Sequence, residues 1–233
     1  MSAVFKREFK AYFSSPVGFI FLTVFFFFWG LYFSLYYSSG SPRIQDLVMQ
    51  MSPVAIFVLP VITMRLFSEE RRQKTDQVLL TSPVSLYSIV LGKFLAAMAL
   101  YAIGFAPVIV FQIIVISYVS VNLLVSLYAL IGMLLLGAVM IAIGMFISSL
   151  TESTVVSAIL TWVVTLFVLT ISWIASAIPI KFLSDAILKL DFVSAVQSFG
   201  NTIFSVKDII YFLSIVAAFL FLSVRSLEKK RWA

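Results

Sequence analysis

Long apolar runs separated by short polar breaks fill this chain, and the length of each run decides what it can be. A helix needs about 20 apolar residues to cross a bilayer. Runs of that order sit at roughly 17–38, 52–67, 86–118, 123–147, 153–178 and 209–225, so six membrane-spanning helices are predicted. The breaks differ in kind. Ser68 to Pro83, SEERRQKTDQVLLTSP, is the one strongly charged stretch between two apolar runs. A residue before proline is pushed out of the α region, so a short helix begun near Ser68 or Thr75 is expected to stop at about Ser82. Charges of both signs crowd its start and Val78, Leu79 and Leu80 close it. The pattern predicts an amphipathic helix lying across the membrane surface, with one end suited to a water-soluble protein.

The remaining segments follow the same reasoning. In Met1 to Ser15, Phe5, Phe9 and Tyr12 recur at helical spacing against Lys6, Arg7 and Lys10, which predicts an interfacial amphipathic helix. A signal peptide is the competing reading. The run after it is longer than a typical h-region and lacks a small-residue cleavage pattern, which favours an uncleaved first span. The second run holds Pro53 and Pro60, predicting a kink near Pro60. The third holds Pro107 and a lone Gln112, expected to hydrogen-bond between helices. Gly132, Gly137 and Gly144 make the fourth a candidate for close packing. Ser149 to Glu152 reads as a capping box, with Ser149 as N-cap of the fifth span. Between Pro179 and Asp208 the apolar pieces Phe182 to Leu190 and Phe192 to Phe199 are too short to cross, so two short helices on or in the outer leaflet are expected. The Phe25 to Phe28 run reads as a lipid-facing or dimer-packing surface.

Composition narrows the function classes. Hydrophobic residues make up 62% and charged residues 11%, against roughly half and a quarter in soluble domains, leaving no room for a sizeable soluble domain. Neither Cys nor His is present, which removes disulfides, thiol nucleophiles and His bases and leaves no metal site or catalytic set. Leu91-Gly92-Lys93 lacks the upstream glycine and following Ser or Thr of a phosphate-binding loop, so it reads as a span boundary and no nucleotide site is expected. With both termini inside, twelve of the sixteen lysines and arginines fall on the inner side. That supports cytoplasmic termini and a cytoplasmic Ser68–Pro83. The basic excess suits anionic lipid better than nucleic acid. None of the carboxylates lies mid-span, which disfavours an ion-coupled transporter or channel acting alone.

Arg65-Leu-Phe-Ser-Glu-Glu-Arg-Arg-Gln-Lys-Thr-Asp-Gln-Val-Leu-Leu-Thr-Ser-Pro, followed by Leu91-Gly92-Lys93, resembles the first cytoplasmic loop of type-2 ABC exporter permeases. Lys74 stands where that family usually has Gly before Thr75. The amphipathic start, Ser148 to Ser153, the Phe199-Gly200 loop and the Leu227 to Trp232 ending also fit, so the resemblance covers the whole chain, 1–233, as a single transmembrane domain. The last two features look most like the gliding-motility-associated branch of these permeases. The resemblance implies an all-α polytopic fold with six transmembrane helices, an N-terminal amphipathic helix, a cytoplasmic coupling helix and short outer-leaflet helices before the last span, in a bacterial inner membrane. It implies a permease that dimerises with a second copy or a related permease, and a separate ABC ATPase subunit that holds the ATP and magnesium, this chain binding no cofactor. A membrane-anchored accessory subunit is also expected. The residues it places on the coupling helix against the ATPase are Glu69, Glu70, Arg71, Arg72, Lys74, Thr75 and Asp76. Thr151 and Glu152 form a secondary cytoplasmic contact, although the capping box is a competing explanation for Glu152. The resemblance leaves open whether the ATPase cycle exports cargo or drives a mechanical process.

Overall fold

The computed structural model describes residues 1–38, 43–75, 85–118, 123–179, 181–188, 191–200 and 206–231. All regular structure among them is helical: α1 (Ser2–Ser14), α2 (Pro16–Ser38), α3 (Ile44–Gln50), α4 (Ser52–Thr63), α5 (Ser68–Arg72), α6 (Leu86–Ile103), α7 (Ala106–Ile116), α8 (Leu123–Leu150), α9 (Thr154–Ala177), α10 (Lys181–Leu188), α11 (Phe192–Gly200) and α12 (Val206–Arg231). Six stretches are long and apolar enough to cross a membrane: Pro16–Ser38, Ser52–Arg72, Leu86–Ile116, Leu123–Leu150, Thr154–Ala177 and Val206–Lys229. The second of these comprises α4, a turn and α5. The third is broken at Gly104 and Phe105, and Pro107 restarts it within the first turn of α7, where its missing N–H costs no hydrogen bond.

α8 is the central element, touching α3, α4, α6, α9, α11 and α12. Its glycines allow this. A Cβ on Gly132 would stand 2.9 Å from Phe199 on α11, one on Gly137 2.0 Å from the Tyr101 ring on α6, and one on Gly144 2.3 Å from Thr63 Oγ1 on α4. The expected close packing is therefore real, and each glycine admits a different helix. Tyr101 is fully buried and donates its hydroxyl to Met133 O at 3.0 Å, which fixes its ring over Gly137.

Two expectations fail here. Phe25 faces neither lipid nor a partner, for it is fully buried with Phe21 and Trp29 on one stripe of α2. Its ring packs 5.9 Å from Tyr101 and 5.6 Å from Phe105 at the break in the third span. The four-residue spacing places these three aromatics on one helix face, whereas Phe26 and Phe27 are exposed. Gln112 makes no helix-to-helix hydrogen bond among the described residues, and both its amide atoms are buried without a partner. It shares a face of α7 with the buried Val108 and Val115, and that apolar surrounding supplies no donor or acceptor.

At the end of the bundle away from α5, α10 and α11 are the two short helices expected, and Phe192, Val196 and Phe199 form the buried stripe of α11. Asp191 ties α11 to α9. Its carboxylate accepts hydrogen bonds from the Ser172 hydroxyl on α9, the Ser194 hydroxyl and the backbone N–H groups of Val193 and Ser194. Burial alone would raise its pKa, but those hydrogen bonds outweigh it and hold the carboxyl below the ordinary carboxylate value. A depressed folded pKa adds stability that is complete above the unfolded value of about 3.9 and is lost as pH falls through the folded value. Hydrogen exchange at the α11 amides, corrected for intrinsic rates, is therefore expected to match at pH 7 and pH 5 and to accelerate below about pH 4.

Candidate functional site

The charged stretch folds as a short helix latched to α8. Ser148 Oγ accepts from the backbone N–H groups of Phe67 and Ser68, both at 3.0 Å, and donates to Met64 O at 3.0 Å. The Ser68 hydroxyl also donates to Met64 O. One buried serine thus satisfies the polar backbone where α4 gives way to α5. α5 then ends after five residues, so one helix does not run from Ser68 to Ser82, and the alternative start near Thr75 falls on residues 76–84. Thr75 N–H bonds to Glu70 O at 2.9 Å and Lys74 N–H to Arg71 O at 3.0 Å. That paired bonding is a Schellman closure, which needs a left-handed residue at the position Lys74 occupies. Lys74 has φ 56°, so a lysine takes here the left-handed position that glycine occupies most easily. Residues 76–84, including Asp76, lie outside the described residues.

Glu70 points back into the protein. Its Oε1 lies 2.7 Å from Arg7 Nη2 and 3.0 Å from Lys93 Nζ, and Glu8 Oε1 lies 2.6 Å and 3.2 Å from the same two cations. Two carboxylates and two cations thus close a four-membered ring joining α1, α5 and α6. Lys93 is the buried corner, its side chain 1% exposed, with its ammonium 5.2 Å from the centre of the Phe67 ring. Such a buried charge is held only because its partners offset the desolvation. Burial alone would lower the pKa of Arg7, but its contacts with Glu8 and Glu70 raise it above the ordinary guanidinium value. Beside the ring opens a cleft of about 380 Å³ reaching Tyr12, Arg65, Gln73 and Thr75. Tyr12 closes its floor, donating to Ile62 O at 3.2 Å.

Arg71 points the other way along the same end. It donates to Ser149 O at 3.2 Å and pairs with Glu152 Oε1 at 3.0 Å, which ties α5 to the α8–α9 turn. The capping box does not form. α8 runs on to Leu150, so Ser149 sits in its last turn and donates to Phe146 O, and Ser153 caps α9 by accepting from Val156 N–H. Helix propagation through apolar Phe146 and Ile147 carries α8 past the position that the pattern assigned as a start. Glu152 is left free for Arg71. Thr151 lies beside it, its hydroxyl buried without a partner among the described residues.

The charged run is therefore sorted by the fold. Glu69 pairs with Arg65 at 2.7 Å, Glu70 with Arg7 and Lys93, and Arg71 with Glu152, while Arg72, Lys74 and Thr75 are exposed. Arg7, Glu8 and Lys93 are residues that sequence reasoning missed as part of the site. A lysine seven residues inside the third apolar run was their one signal, and it reads equally well as a boundary.

A model of the ABC-2 family transporter protein matches residues 2–231. The chain belongs to that family. No curated protein matches it. The chain is thus a membrane permease component of an ABC-2 type transporter, of a family that lacks an ATPase domain and works with ABC ATPase subunits. The permease places the charged ring around Lys93 at the end of the bundle where α1, α5, the start of α6 and the end of α8 meet.

Proposed function

We propose that α5 and the turn after it are the docking element for a separate ABC ATPase, on the cytoplasmic side, and that the permease works as a dimer. The observation carrying this is the double anchorage of a five-residue helix. Through Glu70 it grips α1 and α6, and through Ser148 and Arg71 it grips α8 and the turn that leads into α9. A push on α5 is therefore delivered to four elements at once, because packed elements respond as stiff bodies and not as a fluid. Closure of an ATPase pair around ATP would supply that push, and α10 and α11 would cap the path at the far end.

Export of a cargo is the first reading of the output. The resemblance to the gliding-associated branch favours a second, in which the cycle drives a mechanical or assembly process with an accessory subunit. A stand-alone channel is disfavoured, since the two buried charges among the described residues, Lys93 and Asp191, sit at opposite ends of the bundle and not along a path between them.

Purification from native membranes in mild detergent tests the reading. An ABC ATPase is expected to accompany the permease, and its ATP hydrolysis is expected to change on reconstitution with it. A folded permease recovered alone would contradict the proposal. ATP-dependent movement of cargo in vesicles would then separate export from the mechanical alternative.

A further inference from the structure

Among the described residues, the fold turns the acids of the charged run inward or into pairs and leaves two cations facing water. Glu70 is 19% exposed and Arg71 13%, both engaged within the chain, whereas Arg72 and Lys74 are exposed and make no ion pair among the described residues. Among the described residues, neither side chain makes a hydrogen bond or ion pair that holds the fold. Lys74 does the opposite. It sits at φ 56° in the left-handed position of the Schellman closure, where a side chain crowds the carbonyl and glycine does not. A strained residue whose side chain makes no such bond points to a use outside the fold.

We infer that Lys74, with Arg72 beside it, is a specificity contact for an acidic surface on the ATPase subunit, resting on the docking role proposed above. The exposed cations call for carboxylates opposite them. An anionic lipid surface would answer the charge as well, but lipid attraction asks only for proximity, about 1 kcal/mol per charge at any orientation. The closure at Lys74 instead fixes the point and the Cα–Cβ direction from which one flexible lysine side chain leaves the backbone, which suits a carboxylate within its reach on a docked surface.

The test uses the detergent-solubilised complex of the permease with the ATPase that co-purifies with it. A carbodiimide, which joins an amine to a carboxylate with no spacer, is expected to link Lys74 to an Asp or Glu of that ATPase. Lys74→Gly is expected to weaken ATPase association roughly tenfold while leaving the permease alone at least as heat-stable as the parent, because the strain is relieved. Lys74→Gln, which keeps the backbone and loses the charge, is expected to weaken association similarly and to flatten its salt dependence. ATPase held by both variants as tightly as by the parent would overturn the inference. So would unchanged ATPase association together with lost binding to vesicles containing anionic lipid. A parent permease that brings no ATPase would instead overturn the docking role itself, so the two failures are distinguishable.

Discussion

Lys93→Met is expected to destabilise the permease by roughly 3 kcal/mol, the cost of leaving buried carboxylates without their cation. Glu8 and Glu70 are 14% and 19% exposed and share the Lys93 ammonium at 3.2 and 3.0 Å. Methionine fills the same space but leaves Arg7, 52% exposed, as the one remaining cation of the ring. The thermal midpoint in detergent is expected to drop, and α1 is expected to become sensitive to protease, since the ring helps hold α1 on α6. The triple variant Glu8→Gln, Glu70→Gln, Lys93→Met removes the three more buried charges, leaves the half-exposed Arg7, and is expected to recover most of that stability, as buried ion clusters replaced by neutral groups often do. An unchanged midpoint for the single variant would show that the ring is not a stabilising feature.

Gly137→Ala is the second large effect, at about 2–3 kcal/mol. The new methyl would fall 2.0 Å from the Tyr101 ring, and the ring has nowhere to withdraw. It is fully buried, packed 5.1 Å from Phe105 and held by its hydroxyl to Met133 O. Gly30 supplies the contrast, because a Cβ there meets nothing within 4 Å. Gly30→Ala is therefore expected to be neutral or to stabilise by about 0.5–1 kcal/mol through helix propensity. Thermal midpoints of the two variants, measured side by side in one detergent, check this. Equal midpoints would mean that α6 and α8 are not in the close approach described.

The six spans were legible because hydrophobic length is a local property, and the glycines of α8 announced close packing for the same reason. What each glycine admits was not legible, since Phe199, Tyr101 and Thr63 come from three distant segments. The ring was hidden for that reason too. Glu8, Glu70 and Lys93 are each unremarkable where they stand in the sequence, and only the docking of α1 on α6 brings them together. Phe25 was misread because four consecutive phenylalanines look uniform, while a helix sends one of them inward and two outward. Ser149 to Glu152 satisfied the capping pattern, yet α8 simply continued through it. The charged run was legible as a distinct polar stretch between two spans, but not which of its charges face out. That division depends on partners outside the run.

ATPase docking requires the α5 end of the bundle to face the cytoplasm, and a single introduced cysteine reads which side it is on, since the chain has none. Arg72→Cys in otherwise intact cells should resist a membrane-impermeant thiol reagent and react once the membrane is opened. Reaction of that cysteine from outside intact cells would put α5 on the wrong face and contradict the account.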